Sequence, residues 1–424
     1  MTSTPPPPLG PDCVVLLNDY CYVQGGASRV AVDEAVALAQ SGCEVIFVGA
    51  KGPVCAELAE APLTVVDLDQ PELTDAGRSP LVVLQGLWNA KAGRALAEVL
   101  RGRDPARTVV HLHGYTKSLT TAPVRVATRL GFPVVCTLHD FFAACPNGAF
   151  FDYVENRPCE RKALSPACLA ANCDKRHRGH KIYRVIRSLV QREFGHFPGG
   201  VDTYVSLSRR SQAILAPYLP ADAAFHPLPN IIPMEHRPPA VLSLDKAVVA
   251  VGRLDREKGI ESLLEASSRT GVPITFVGDG PLRSAAEATP GCRVTGWVGA
   301  AEVTAALDEA RALVFPSLWY ETFGLVVSEA AARGVPAIVS DVSAASERVR
   351  PGETGWVFPA GNVDVLADCL RATLDIDTVA RFGRRAFDEF WADPPDRAHH
   401  TTALLDIYAA TLARRGGESR GPVA

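Results

Sequence analysis

Short apolar runs, each closed by polar or glycine-rich residues and followed by a helix-length segment with 3.6-residue spacing, recur along the 424-residue chain. In the first half Cys13 to Asn18, Glu44 to Val48, Leu63 to Val66, Leu81 to Leu84, Thr108 to Leu112, Pro133 to Leu138 and Val201 to Leu207 read as strands. In the second half Val248 to Leu254 reads as a strand reaching a turn, and Ile274 to Val277, Arg293 to Thr295, Ala312 to Phe315 and Ala337 to Val339 follow as strands. Ser28 to Gln40, stopped by Ser41-Gly42, and Leu325 to Arg333, stopped by Gly334, read as helices. This alternation predicts an α/β protein with doubly wound parallel sheets, which bind ligands at the carboxyl ends of their strands.

Proline crowds the stretch 217–239 and divides the pattern in two. The expected units are a first domain at 13–228 with a cysteine-rich insert at 141–200, a second domain at 229–395, and a terminal segment at 396–424. That last segment follows Pro394-Pro395 and carries an amphipathic helix, His399 to Leu412. Residues 1–12 read as a disordered leader, because they lack the basic and apolar regions of a secretion signal.

The densest chemistry lies in Ser317 to Glu329, a strand, loop and helix start. A first helical turn carries unpaired N–H groups and partial positive charge, so Phe323, Gly324 and Leu325 offer an anion site suited to a diphosphate. Glu321, followed by Thr322, precedes that turn, and Glu329 lies roughly 9 Å further along at about 1.5 Å rise per residue. Carboxylates repel phosphate, so each is better used on hydroxyls to either side of it. Two solvated surface acids are the ordinary alternative. Arg253 and Lys258, in Gly-Arg-x4-Lys-Gly spacing, can neutralise a diphosphate, or form surface ion pairs instead.

Glycine turns close other strands at the same edge: Gly25-Gly26, the 278–281 turn with Gly280, and Gly296 followed by Trp297 and Val298. His111, His113 and His139 also end strands, where an imidazole can bond a sugar hydroxyl or simply a neighbouring carbonyl. Asp67-Leu68-Asp69 has the form of a metal and nucleotide motif, but so short a spacing is commoner as a solvated strand end.

Composition narrows the class. The chain is 47% hydrophobic and 21% charged, and its net charge of −4 argues against nucleic acid as a partner. No apolar run approaches a membrane span, so a cytoplasmic location is expected. Eleven scattered cysteines suit reduced thiols better than a disulfide framework. Within the insert, Cys145, Cys159, Cys168 and Cys173, followed by His177 and His180, are candidates for a structural zinc site, with free thiols as the alternative. A basic run follows, in which Ile182, Val185, Ile186 and Leu189 share one helical face and Arg184 and Arg187 the other. Such a helix suits peripheral contact with anionic membrane at the inner face, or a solvated helix over a sheet.

The Glu-x7-Glu spacing with its Phe-Gly-Leu interior, the Arg253/Lys258 pattern and the strand-end histidine His139 together resemble retaining GT-B fold glycosyltransferases, family 4-like or group 1. The resemblance covers nearly the whole chain and is weakest in the cysteine insert. It implies two Rossmann-like domains facing a cleft, with the C-terminal helix crossing back to the first. It further implies transfer of a hexosyl group from a nucleoside diphosphate sugar, with no cofactor required, to an acceptor that the sequence leaves open. Arg253 and Lys258 would hold the diphosphate, Glu329 the ribose and Glu321 the hexose. Trp297 and Val298 would lie near the base, Gly25-Gly26 would face the diphosphate from the other domain, His139 would lie by the reacting sugar and His113 on the acceptor side. The alternatives are a sugar-nucleotide 2-epimerase and a noncatalytic nucleotide-sugar-binding subunit.

Overall fold

The computed structural model describes residues 10–72 and 80–418. The expected leader, up to residue 9, and the tail from 419 lie outside them. Nine strands belong to the first half: β1 (Cys13–Tyr20), β2 (Glu44–Lys51), β3 (Thr64–Asp67), β4 (Thr108–Leu112), β5 (Val134–Thr137), β6 (Phe151–Asp152), β7 (Arg157–Pro158), β8 (Thr203–Ser206) and β9 (Ala224–Pro227). Six follow: β10 (Ala247–Val251), β11 (Ile274–Val277), β12 (Arg293–Val294), β13 (Ala310–Phe315), β14 (Ala337–Ser340) and β15 (Gly355–Phe358). They form one sheet in the order β3-β2-β1-β4-β5-β8-β9 and a second in the order β12-β11-β10-β13-β14-β15. Every pairing in both is parallel.

Parallel sheets with helices on both faces bury their central strands completely, which is why β1, β4, β5 and β13 are buried along their whole length and mostly apolar rather than alternating. In each sheet the order reverses once, between β1 and β4 and between β10 and β13. A crevice opens where neighbouring connections leave in opposite directions, so these two points are where ligands are expected. Gly25-Gly26, His113, His139, Arg253 and the Ser317–Glu329 stretch all follow strands that flank or adjoin them.

Two expectations for the elements fail. Leu81 to Leu84 is no strand; it lies in a short helix, Pro80–Gln85, with no buried residue. Four apolar residues carry too little periodicity to separate helix from strand, and the sheet already has neighbours on both sides of β1 and β2. Nor does Val201 to Leu207, the last strand expected from the first half's pattern, end the first sheet. Strand β9 adds to its edge, the position where a terminal proline such as Pro227 is tolerated.

The cysteine-rich insert forms a two-residue hairpin, β6 with β7, and a long helix, Arg178–Glu193. At the far end the expected amphipathic helix runs from Arg397 to Glu418. Its Leu404, Ile407 and Tyr408 share a buried cluster with Val14, Leu16, Ala31 and Phe47 of the first domain, so the chain does cross back. That helix covers apolar surface on the first sheet, at roughly 25 cal/mol per Å² buried.

Candidate active site

Strand β10 ends at Val251, and Gly252 turns the backbone at φ +138 into Arg253. A 3-10 turn, Arg256–Lys258, and Gly259 at φ +72 then lead into the helix Ile260–Thr270. A Cβ on Gly259 would stand 2.0 Å from the Pro316 carbonyl, so only glycine lets Lys258 approach the loop after β13 this closely. Lys258 Nζ contacts Glu321 Oε1 directly. Ser317 Oγ donates to the same oxygen at 2.8 Å and Trp319 Nε1 at 2.6 Å, while Lys258 Nζ also sits 4.8 Å over the Trp319 ring. Burial by itself would raise the Glu321 carboxyl, but the charge and hydrogen bonds of Lys258, with those of Trp319 and Ser317, outweigh it and hold the group below its ordinary range. Oε2 receives no hydrogen bond among the described residues.

Arg253 is half-exposed and paired with Asp255, whose other oxygen receives Lys175 Nζ at 3.0 Å from the first domain. Arg253, Lys258, Gly252 and Ser317 line one small cavity, so the two cations stand at a common site. Each is held by a carboxylate, as the surface-pair alternative anticipated, but on the cleft side of both strands. Gly280 belongs to the turn after β11, which is stitched to the 252–254 turn by Leu254 N–H donating to Asp279 O at 2.9 Å; a Cβ on Gly280 would clash with the Leu254 backbone at 2.6 Å.

Gly324, at φ +84, begins the helix Leu325–Ala332. Phe323 is buried against Leu207 and Ile232, with Leu325 packed beside them. Across the cleft, Gly26 opens the helix Gly26–Gln40, and a Cβ there would stand 3.6 Å from Leu325 Cδ1. The glycine pair of the first domain therefore faces the first turn of the second domain's helix. Thr322 Oγ1 donates to the backbone carbonyl of His139 at 3.0 Å, bringing the strand-end histidine to the same loop. Glu329, half-buried, makes no side-chain hydrogen bond or ion pair among the described residues, and burial raises its carboxyl above the ordinary range. Trp297 is 66% exposed, and so is available to a ligand rather than part of a core.

Two expected placements change. His113 is buried, with Nδ1 3.0 Å from His139 Nε2 and Nε2 3.4 Å from Glu34, so it cannot itself face an acceptor. No three of the sulfurs of Cys145, Cys159, Cys168 and Cys173 lie within 4.8 Å of one another, so they form no ready tetrahedral set. The ammonium of buried Lys181 instead donates to Cys168 at 3.5 Å and Cys173 at 3.2 Å. Asp67 and Asp69 are exposed on the edge strand, as a solvated strand end should be.

Residues the sequence did not single out complete the site. Asp140, next to His139, is pushed up to about 6 by burial, against the Phe142 N–H bond and the nearby Arg187 charge that lower it. Lys175 also donates to Glu257 at 2.7 Å, tying insert to second domain. Neither had a motif to mark it; the fold brings them there.

Residues 25–230 match the family model described as a glycosyl transferase 4-like domain, and residues 245–375 match that of glycosyl transferases group 1. Sequence relatives include a glycogen synthase of Mycobacterium tuberculosis, 34% identical over 184 residues, which are 41% of this chain and 44% of that protein. Another is phosphatidyl-myo-inositol mannosyltransferase of Mycobacterium leprae, 36% identical over 146 residues, 32% of this chain and 39% of that one. The chain spans less than half the length of these curated relatives. Among solved structures, Anabaena HepE in complex with UDP-glucose has a TM-score of 0.64 at 15% identity, covering 95% of this chain and 99% of its own. Sucrose-phosphate synthase from Thermosynechococcus elongatus has a TM-score of 0.61 at 18% identity, covering 96% and 98%. Two parallel-sheet domains facing one cleft, with the terminal helix returned to the first, define a GT-B protein. Within that class the chain belongs to the group 1 glycosyltransferases.

Proposed function

We propose that the protein transfers a hexosyl group from a nucleoside diphosphate sugar to an acceptor hydroxyl, with retention of configuration. The observation that carries this reading is the Lys258–Glu321 contact at the start of the Leu325–Ala332 helix, with Arg253 on the same cavity and Gly26 opposite. An arriving diphosphate would draw Lys258 and Arg253 from their carboxylates and gain the N–H groups of the helix start. Glu321, through its free Oε2, would hold hexose hydroxyls and Glu329 those of the ribose. The positive charge that neutralises the departing diphosphate would come from these side chains, so the reading calls for no metal cofactor. UDP and UDP-glucose in the HepE structures support a nucleotide sugar as donor. Beside the Asp140 loop, a cavity of about 350 Å³ lined by Phe142, Ser188, Gln191 and Tyr218 would serve the acceptor.

Contact with anionic membrane belongs to the same reading. In the Arg178–Glu193 helix Lys181, Arg187 and Gln191 are buried, whereas Ile182, Ile186 and Leu189 are exposed. Exposed Leu81 and Leu84 lie on the Pro80–Gln85 helix, which Tyr183 joins by donating to Val83 O at 3.0 Å. An apolar patch flanked by exposed Arg176, Arg178 and Arg192 suits an anionic bilayer surface. No helix among the described residues is long and apolar enough to cross a membrane.

The test is a thermal-shift screen of UDP, GDP and ADP sugars, followed by mass spectrometry of cell extracts incubated with the best donor. Stabilisation by one donor, lost in Lys258→Ala and Arg253→Ala, and a hexosylated product are expected. A screen in which no sugar nucleotide stabilises the protein overturns the reading; an altered sugar nucleotide formed without acceptor would mark an epimerase instead.

A further inference from the structure

Behind His139 lies a buried polar chain that the transfer chemistry above does not use. Glu34, on the Gly26–Gln40 helix, is 2% exposed; His111, within β4, and His113, just after it, are 0% and 3% exposed, and His400 of the C-terminal helix is 4% exposed. His400 Nε2 lies 3.0 Å from Glu34 Oε1, and His400 Nδ1 lies 2.9 Å from the carbonyl of Pro229. A carboxylate and a carbonyl only accept, so both ring nitrogens of His400 carry protons and the ring is a cation. Glu34 is its anion.

The second Glu34 oxygen still needs a donor. Oε2 faces His113 Nε2 at 3.4 Å and His111 Nδ1 at 3.7 Å. His111 is already engaged on both sides, with Tyr408 Oη 2.7 Å from Nδ1 and Thr137 Oγ1 2.8 Å from Nε2. Glu34 Oε2 and His113 Nε2 are both buried without a hydrogen-bond partner and face each other at 3.4 Å. A bare imidazole nitrogen against a carboxylate would be repulsive, so His113 must present Nε2–H. Burial keeps His113 neutral, which leaves its Nδ1 bare. The 3.0 Å contact between His113 Nδ1 and His139 Nε2 then takes its single proton from His139. Neutral His139 is left with a bare Nδ1.

We propose that Glu34 is a positioning residue that, through His113, locks His139 as the Nε2–H tautomer, so that its Nδ1 accepts a hydrogen bond from a substrate hydroxyl. The role of His139 beside the donor rests on the function proposed above; the tautomer lock does not. Glu34, His111 and His113 also bring ligating atoms within 4.8 Å of one another. A divalent ion there would find its one carboxylate already neutralised by His400, and would be a buried charge without compensation.

The experiment is long-range ¹H–¹⁵N spectroscopy of the full chain labelled in histidine, with His139 identified by its loss in His139→Asn. The expected spectrum shows His139 protonated at Nε2 and bare at Nδ1. In Glu34→Gln both tautomers should be present. With the donor from the screen, Glu34→Gln should lower kcat roughly 10–100-fold, the size of effect expected for an orienting partner outside the reacting groups, while donor Kd moves less than about twofold. An Nδ1–H tautomer in the wild type, an unchanged tautomer in Glu34→Gln, or one equivalent of metal in the purified protein overturns the lock. Because the spectrum is read without substrate, a failed donor screen sinks only the function proposed above.

Discussion

Glu329 is the residue on which the free and occupied states should differ most. It is half-buried and unpartnered among the described residues, and desolvation raises its carboxyl. In the proposed function ribose hydroxyls would donate to the ionised form, so donor binding would draw Glu329 toward deprotonation. Affinity should therefore be full above the raised value and fall, up to about tenfold per pH unit, as pH drops below it. Calorimetric titration of donor from pH 7.5 downward checks this, and Glu329→Gln should bind more weakly at neutral pH with that acid limb flattened. Gly324 makes a different demand. Its φ of +84 and a Cβ that would stand 2.6 Å from Ala345 Cβ leave no room for another residue. Gly324→Ala should cost about 1–3 kcal/mol, read as a lower urea midpoint at unchanged m. At this scale the sequence was informative: Arg253 with Lys258, and Glu321 with Gly324, are each set on one turn by their spacing, and the pairing of β10 with β13 brings the two turns together. His113 was misread because strand alternation and fold depth, neither carried by its neighbours, put it inside.

Among the elements, the Arg178–Glu193 helix departs furthest from its pattern. Amphipathic periodicity was plain, but its polarity is inverted: Arg187 points into the protein, donating to Thr116 O at 2.9 Å and stacking 4.8 Å over Phe142. Periodicity shows that a helix has two faces and says nothing of which one the rest of the chain will cover. Because Ile186 and Leu189 are already exposed, replacing both by Asp should leave Tm within about 2 °C, since surface changes are typically within 0.5 kcal/mol. The same variant should lose flotation with anionic vesicles. Equal flotation of wild type with neutral and anionic vesicles removes the membrane reading. The Pro80–Gln85 helix carries the same lesson, since an apolar run of four residues was compatible with either element.

Across the whole molecule, the Glu34–His400 pair ties the C-terminal helix to the first domain. Breaking a buried ion pair leaves an uncompensated charge, so His400→Ala should cost about 3 kcal/mol in chemical denaturation. Burial opposes charge on both groups, but their mutual contact prevails: it lowers Glu34 from its ordinary 4.5 and raises His400 from its ordinary 6.5. The His400 contribution is complete below pH 6.5 and lost as pH rises through its raised value, while that of Glu34 is complete above pH 4.5 and lost as pH falls through its lowered value. Stability from this pair should thus be greatest between those limits and decline on the alkaline side. Denaturation midpoints across that range check it, and His400→Asn should remove the alkaline decline. Asp33 and Tyr408, both raised by burial, and His111 and His113, both lowered by it, adjoin the pair, so the variant is the control that assigns the limb.

Two parallel sheets, their division near the proline-rich stretch and the strand, loop and helix start of Ser317 to Glu329 follow from the chain by itself, because apolar runs, glycine turns and helix starts are local and their chemistry travels with short spacings. Burial of His113, outward exposure of Ile186, the reach of Lys175 to Asp255 and the joining of Glu34 to His400 across 366 residues were decided by tertiary structure alone. Those outcomes depend on which surfaces of distant segments exclude water from one another, and that is a property of the assembled layers.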